Sequence, residues 1–276
     1  MIYCPELNKE FTDKSEMFSA LKRNAEKIIS LKKANIFKSH DKGAGVSTKF
    51  SKETNALKGH IENSKANHVY AVINTTNYFD SHGDVHFKGI WDKSASEQNG
   101  KIFYVADHSL KIDDVIAWKS DVNIIVQELD WAAVGKNFEG TTQALIFEIP
   151  VDKIMHQKAL EVIEAGKDVE NSVRMQYVQI KLAVNSTDSD YKEEKANYDS
   201  LINSIANKDD VEKNGYFWAV NEAKIYKEGS MVTFGSNDAT SIESIKDNNQ
   251  PLQNTDENEP LDNTQEQKES KKRIQL

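Results

Sequence analysis

The residue pattern predicts an α+β fold, mainly β, and three observations carry that prediction. From Asn67 onward the chain is a series of short runs rich in β-branched and aromatic residues, separated by Gly, Asp, Asn and Ser. Helical periodicity is confined to an N-terminal stretch, a short segment after residue 152 and a charged interruption at 186–214. Beyond Phe234 no aromatic residue occurs, and Asp, Glu, Asn and Gln dominate to the end.

Taken in order, residues 13–37 read as a helix. Asp13 and Glu16 stand at capping-box spacing, and Met17, Leu21, Ile28 and Leu31 fall near one face among many lysines. Two readings suit so narrow a stripe: a docking arm, or a solvated helix lying on the domain. Residues 38–66 lack periodicity and are rich in Lys, Ser, Asn and Gly, which predicts a linker, so 1–66 form a helical arm and linker.

The β-like runs HVYAVINTT, GKIFYVADH, DVIAWKSDVNIIVQELDWAAV and TQALIFEIP follow. Asp152 then stands where a cap would open a helix whose Met155, Ala159, Val162 and Ile163 face one way, with Gly166 ending it. The next run, VENSVRMQYVQIKLAVN, is apolar on both alternating sets, as expected of a strand covered on both sides. The charged segment 186–214 reads as a helical insertion before YFWAVNEAKIYKEGSMVTF resumes the β-pattern. Residues 67–240 therefore form the main domain, and 241–276 an acidic tail expected to be disordered because it cannot bury enough surface to offset ordering.

Composition narrows the function classes. With 44 acidic against 35 basic residues the net charge is −9, which disfavours nucleic acid as a principal partner. Cys4 is the single cysteine, so neither an internal disulfide nor a cysteine-rich zinc cage is available, and a reducing compartment is expected. The start, Met-Ile-Tyr-Cys-Pro-Glu, lacks the basic and apolar regions of a secretory signal, and no run of about 18 apolar residues occurs. These features predict a soluble protein of the cytoplasm with no membrane partner. Trp91, Trp118, Trp131 and Trp218 are expected to be core or interface aromatics.

Chemistry centres on Ser172, near the start of a strand just after a helix and turn. A serine hydroxyl attacks poorly unless a base takes its proton. His108, ending the run KIFYVADH at a sheet edge, is the candidate base, and Glu228 in the last strand is the candidate for orienting the imidazole. The three lie on separate β-segments that a barrel would bring together. Backbone N–H groups near Val173 and Arg174 are candidates for holding an oxyanion, and the Arg174 side chain would add positive charge.

Four motifs then occur in sequence. DSHGDVHFKGIWDKS at 80–94 resembles the early motif of tailed-phage prohead proteases, an aspartate before Gly-Asp-Val or Gly-Asp-Ile followed by a Gly and an aromatic residue. ADHSLKIDDVIAW is similar to that family's Asn-His segment and places the catalytic histidine at His108. NSVRMQY looks like the nucleophile segment Leu-Ser-Ile-Gly-Phe, with the serine at Ser172. KEGSMVTFGSN resembles the closing Glu-Val-Ser-Leu-Val-Thr-Phe-Pro-Ala-Asn and sets Glu228 where the related herpesvirus assemblins carry their second histidine. Arg174, Met175, Gly235, Ser236 and the insertion depart from the pattern.

The resemblance implies an assemblin-like closed β-barrel surrounded by helices, and a serine endopeptidase of Ser-His-Glu type that needs no cofactor. Its implied substrates are the scaffold, the delta segment of the major capsid protein and the protease itself, cut inside an assembling prohead in the host cytoplasm, with self-association an option. Two rivals stand beside it. One is an inactive, capsid-associated scaffold protein of the same fold. The other is a metal-dependent hydrolase: His82, Asp84 and His86 alternate as strand residues on one face would, with His108 or Asp107 completing the set, although Gly83 reads as a turn that destroys the shared face.

Overall fold

A computed structural model describes residues 1–36, 60–167 and 169–233, and the backbone of Ile242–Ile245. These all belong to one unit, Met1–Lys246. Of the expected tail, Ile242–Ile245 is a strand paired with the main domain, which corrects the expectation of disorder there; the rest of the tail and most of the expected linker lie outside the described residues.

The chain opens with a small antiparallel pair, β1 (Ile2–Cys4) and β2 (Lys9–Phe11), followed by helix α1 (Lys14–Ala34). Asp13 caps α1, its side chain accepting the Glu16 N–H. Glu16 reaches back to Thr12 rather than to the cap residue itself. Met17, Phe18, Leu21 and Ile28 are buried, and α1 packs against β9 (Glu170–Val184). Of the two readings of this helix, the structure shows the one lying on the domain.

Between α1 and β9 run β3 (His68–Thr75), β4 (Asp84–His86), α2 (Asp92–Gln98), β5 (Phe103–Ala106), β6 (Val115–Ala117), β7 (Asn123–Asp130), β8 (Thr141–Pro150) and α3 (Gln157–Glu164). After β9 come α4 (Lys192–Leu201), α5 (Lys208–Asn214), β10 (Tyr216–Val232) and β11 (Ile242–Ile245). Helix α3 starts later than predicted: His156, not Asp152, is its cap, with Nδ1 accepting the Ala159 N–H, and Asp152 lies in a preceding 3-10 turn.

The strands form two larger sheets. One is organised on β10, whose 17 residues carry β9 antiparallel along one edge, and β4 then β5 in parallel along the other, with β6 beyond β5. The other has the antiparallel order β11-β3-β8-β7. Their facing sides share one core, with Ala71, Ile73, Leu145 and Phe147 from the second sheet and Tyr104, Val173, Met175, Val220 and Met231 from the first. Gly229 marks the closest approach, because a Cβ there would meet Phe147 Cε2 at 2.6 Å.

The described residues correct two expectations. Both sheets are open, so they do not form the expected closed barrel. Nor is the fold mainly β, since helix, with its short 3-10 turns, and strand take about equal shares. The cause is visible in β10: its length lets it serve two successive parallel neighbours, so the sheet extends along one strand instead of curling back on itself. The predicted insertion at 186–214 folds as helix, with α4 on β9 and with Tyr198, Ile205 and Val211 completing an apolar cluster around Phe217. Trp91, Trp131 and Trp218 are buried as expected, while Trp118 remains 39% exposed.

Candidate active site

Register brings the candidate residues together. Ser172 of β9 pairs with Ser230 of β10, and Gly229 pairs with Val173. Side chains alternate along a strand, so Ser172, Arg174, Glu228 and Ser230 share one face while Val173 and Met175 enter the core on the other. Between the pairs Ile225–Met175 and Gly229–Val173 the register shifts, so that Arg174 alone faces Tyr226, Lys227 and Glu228. Such bulges re-aim side chains near functional sites. Here the two additional residues preserve the in-and-out phase, and Lys227, at φ 70°, is exposed instead of entering the core.

The histidine arrives from the opposite edge of β10. Strand β5 ends with Ala106 opposite Met231, and the chain turns through Asp107 (φ 49°) and His108 (φ 55°), closed by the Ser109 N–H donating to the Ala106 carbonyl at 2.9 Å. Left-handed backbone is uncommon for residues with a side chain, though Asp and His are among those enriched there. Neighbouring strands hold the turn: the Asp107 N–H donates to Met231 O at 2.9 Å, the His108 N–H to Ser230 Oγ at 2.8 Å, and Arg174 Nη2 to the His108 carbonyl at 2.6 Å.

In this pose His108 Nδ1 lies 2.8 Å from Glu228 Oε1 and Nε2 lies 2.9 Å from Ser172 Oγ. An ionised carboxylate only accepts, so Nδ1 carries the proton, leaving the Nε2 lone pair to accept from the serine hydroxyl. All three residues are buried, with Ser172 at 2% exposure, His108 at 4% and Glu228 at 0%. Arg174 Nε stands 2.9 Å from the same Glu228 oxygen as a close ion pair, without the N–H alignment of a good hydrogen bond. Glu228 Oε2 has no hydrogen-bond partner among the described residues. The buried carboxylate is thus matched by one buried guanidinium, which keeps the charge of the pair near zero.

The sequence-derived set of Ser172, His108 and Glu228 therefore meets at one place. Arg174 meets it too, but its guanidinium is turned to Glu228 and the His108 carbonyl. Val173 sits in the β9–β10 ladder opposite Gly229, with its side chain in the core. Ser230 was missed by sequence reasoning, although its position two residues after Glu228 puts it on the same face. Tyr104, whose hydroxyl donates to Oδ1 of Asn171, the residue before Ser172, at 2.7 Å, was missed as well.

The metal alternative dissolves into a separate buried polar chain. Asp84 and His86 are on β4, and His82 lies in the turn before it. Asp84 pairs with Lys32 of α1 and accepts the Tyr177 hydroxyl at 2.8 Å, while His86 contacts Asn74 and the same phenol. Burial pushes His86 down to about 4, and burial, with the Asp84 charge second, pushes Asp80 up to about 6. His82 Nδ1 is 3.9 Å from Asp80, and His108 and Asp107 belong to the other site. Among the described residues no three His, Cys, Asp or Glu side chains are grouped to hold a metal ion.

No protein-family model, no curated protein and no solved structure matches the chain.

Proposed function

We propose that the chain is a serine endopeptidase of the prohead-maturation kind, with Ser172 as nucleophile, His108 as general base and Glu228 as the acid that orients it. The observation that carries this reading is the unbroken polar line from Glu228 Oε1 through the imidazole to Ser172 Oγ, at 2.8 and 2.9 Å. Such a line is the geometry by which an inert hydroxyl becomes a nucleophile, and it is recognised by the roles of its members rather than by fold.

In the reaction, the Ser172 oxygen attacks a peptide carbonyl while its proton passes to His108 Nε2. The tetrahedral intermediate collapses as the imidazolium gives that proton to the leaving amine, and an acyl-enzyme remains. Water then attacks the ester with the same nitrogen as base, releasing the acid and restoring the serine. Glu228 keeps Nδ1 protonated and balances the transient imidazolium, and Arg174 in turn balances Glu228. Successive N–H groups of a strand point to opposite edges, so of Val173 and Arg174 the one whose N–H faces away from β10 is the proposed oxyanion donor. The substrates proposed from the motif resemblance are scaffold and capsid-protein segments and the chain itself, cut within an assembling prohead in the host cytoplasm, with neither nucleic acid nor membrane as partner.

A second reading, a scaffold protein that does not catalyse, is favoured by one feature: the 2% exposure of Ser172 closes the nucleophile to solvent in this conformation. The two separate in one experiment. Purified protein is treated with a fluorophosphonate and followed by intact mass, beside Ser172→Ala. A single adduct on Ser172 together with wild-type self-cleavage fragments, both lost in the variant, is expected of the protease. An unlabelled, uncleaved wild type excludes it.

A further inference from the structure

On the face of the sheet that carries Ser172 and Glu228 lies a cavity of about 240 Å³. Phe103, which pairs with Glu228 across β5 and β10, lines it together with Trp118, their rings edge to face at 4.9 Å. Leu110 and Ile112, in the loop that leaves His108, line it as well, and Lys101 and Lys227 stand on its rim. The loop side chains are strongly exposed for their type: Ile112 is 79% accessible, Leu110 44% and Trp118 39%. A cluster of exposed apolar side chains bordering a reactive group marks a binding surface.

Both rim lysines are exposed, and among the described residues neither has a carboxylate partner: Lys101 Nζ donates to the Glu97 carbonyl, and Lys227 lies over the Tyr226 ring. Lys111 and Lys119 adjoin Ile112 and Trp118 in the chain but are offset along it by Asp113, Asp114 and Asp121, so the cationic rim is that of Lys101 and Lys227. A protein of net charge −9 repels acidic peptides over most of its surface. A local pair of unmatched lysines beside an apolar pocket reverses that preference at one spot.

We propose that this cavity is a substrate subsite for an acidic peptide segment, taking one large apolar side chain with carboxylates on its flanks. The proposal rests on Ser172 as the nucleophile, because strand order then fixes the distance. From Ser172 to Phe103 the path crosses two inter-strand spacings and moves two residues along the strands, about 11 Å, which an extended peptide covers in roughly three to four residues. The subsite therefore reads a residue three to four positions from the scissile bond, not the residue at the bond.

The test uses the full chain carrying Ser172→Ala, so that binding is read without turnover, and three fluorescein-labelled peptides of equal length: Leu flanked by Glu, Leu flanked by Lys, and Ser flanked by Glu. Anisotropy is expected to rank the first tightest, with loss of the Leu side chain weakening binding by about tenfold or more. K101E/K227E is expected to reverse the preference between the Glu- and Lys-flanked peptides, and W118A to remove the preference for Leu over Ser. Equal binding of all three peptides, or preferences unmoved by either variant, overturns the proposal. Because these lysines are exposed, an unchanged unfolding midpoint shows that K101E/K227E remains folded. In wild type the cleaved bond of the first peptide is expected three to four residues from Leu, and cleavage next to Leu overturns the placement. Fluorophosphonate labelling of wild-type Ser172 reports separately on the nucleophile, so a failed subsite and a failed serine mechanism give different results.

Discussion

Replacing Arg174 by Gln removes the guanidinium that touches both the Glu228 carboxylate and the His108 carbonyl. Arg174 Nε and His108 Nδ1 approach the same Glu228 oxygen, at 2.9 and 2.8 Å. Without the guanidinium the carboxylate beside Nδ1 is left buried and uncompensated and the His108 carbonyl loses its donor, so the imidazole is held less firmly in line with Ser172. The assay is the rate of fluorophosphonate attachment to Ser172, with R174Q expected to be slow and R174K to fall between it and wild type. An R174Q that labels as fast as wild type would refute the argument and leave Arg174 with packing alone. In urea, R174Q is expected to lose about 3–5 kcal/mol, the cost of leaving one partner of a buried ion pair, and R174Q/E228Q to regain part of it.

Three other substitutions test the supports around the site. Ser230→Ala deprives the His108 N–H of its acceptor, and a buried unpaired N–H costs about 1–3 kcal/mol, so both the urea midpoint and the labelling rate are expected to fall. Gly229→Ala drives a methyl against Phe147 at 2.6 Å and Ile73 at 3.1 Å, an overpacking worth about 1–3 kcal/mol, and a smaller residue at 147 is expected to restore stability and labelling together. Asp80→Asn tests the buried carboxyl raised to about 6, whose Oδ1 accepts the His82 and Asp84 N–H groups. The folded state holds this proton more tightly than the unfolded chain, so Asp80 weakens the fold progressively as pH rises from about 4 to 6. Asn keeps an acceptor without the charge, so D80N is expected to melt higher than wild type at pH 8 and no higher at pH 4. His86, lowered to about 4, acts oppositely, its contribution being lost as pH falls from about 6.5 towards 4 in both proteins. A D80N advantage that is the same at both pH values would refute the burial argument.

Much of the site was legible because its residues announce themselves locally. Ser172 follows a helix and opens a strand, His108 ends an apolar run, and Glu228 sits in the last strand, all visible as punctuation of hydrophobic runs. Asp13 was recognisable as a cap for the same reason. The neighbours of each strand were not legible, because alternation assigns residues to faces but does not say which strand lies alongside. The closed barrel was implied by the resemblance, and alternation within the runs had no means of replacing it with a sheet in which β10 carries β4 and β5 in succession. The same gap explains the role first given to Arg174. The residue was placed on the correct face, but its partner is set by the register shift opposite Tyr226–Glu228, and no spacing within either segment encodes that shift. The helix predicted from Asp152 failed on a competing signal, since His156 offers a ring nitrogen to the Ala159 N–H and fixes the first turn later.

The left-handed turn at Asp107 and His108 bears on when the proposed site can assemble. Two consecutive residues in that conformation cost about 1–2 kcal/mol each, and an isolated segment has no reason to adopt it. The bonds that offset this cost come from Arg174 and from Ser230, which lie 66 and 122 positions further along the chain. A ribosome that has just released residue 108 has therefore made an imidazole without a posture. The imidazole at 108 is held beside the hydroxyl at 172 only once residues 228–231 have emerged and docked between β9 and β5. For the protease proposed above, synthesis order alone would then act as a safety catch against premature cutting of the nascent chain and its neighbours.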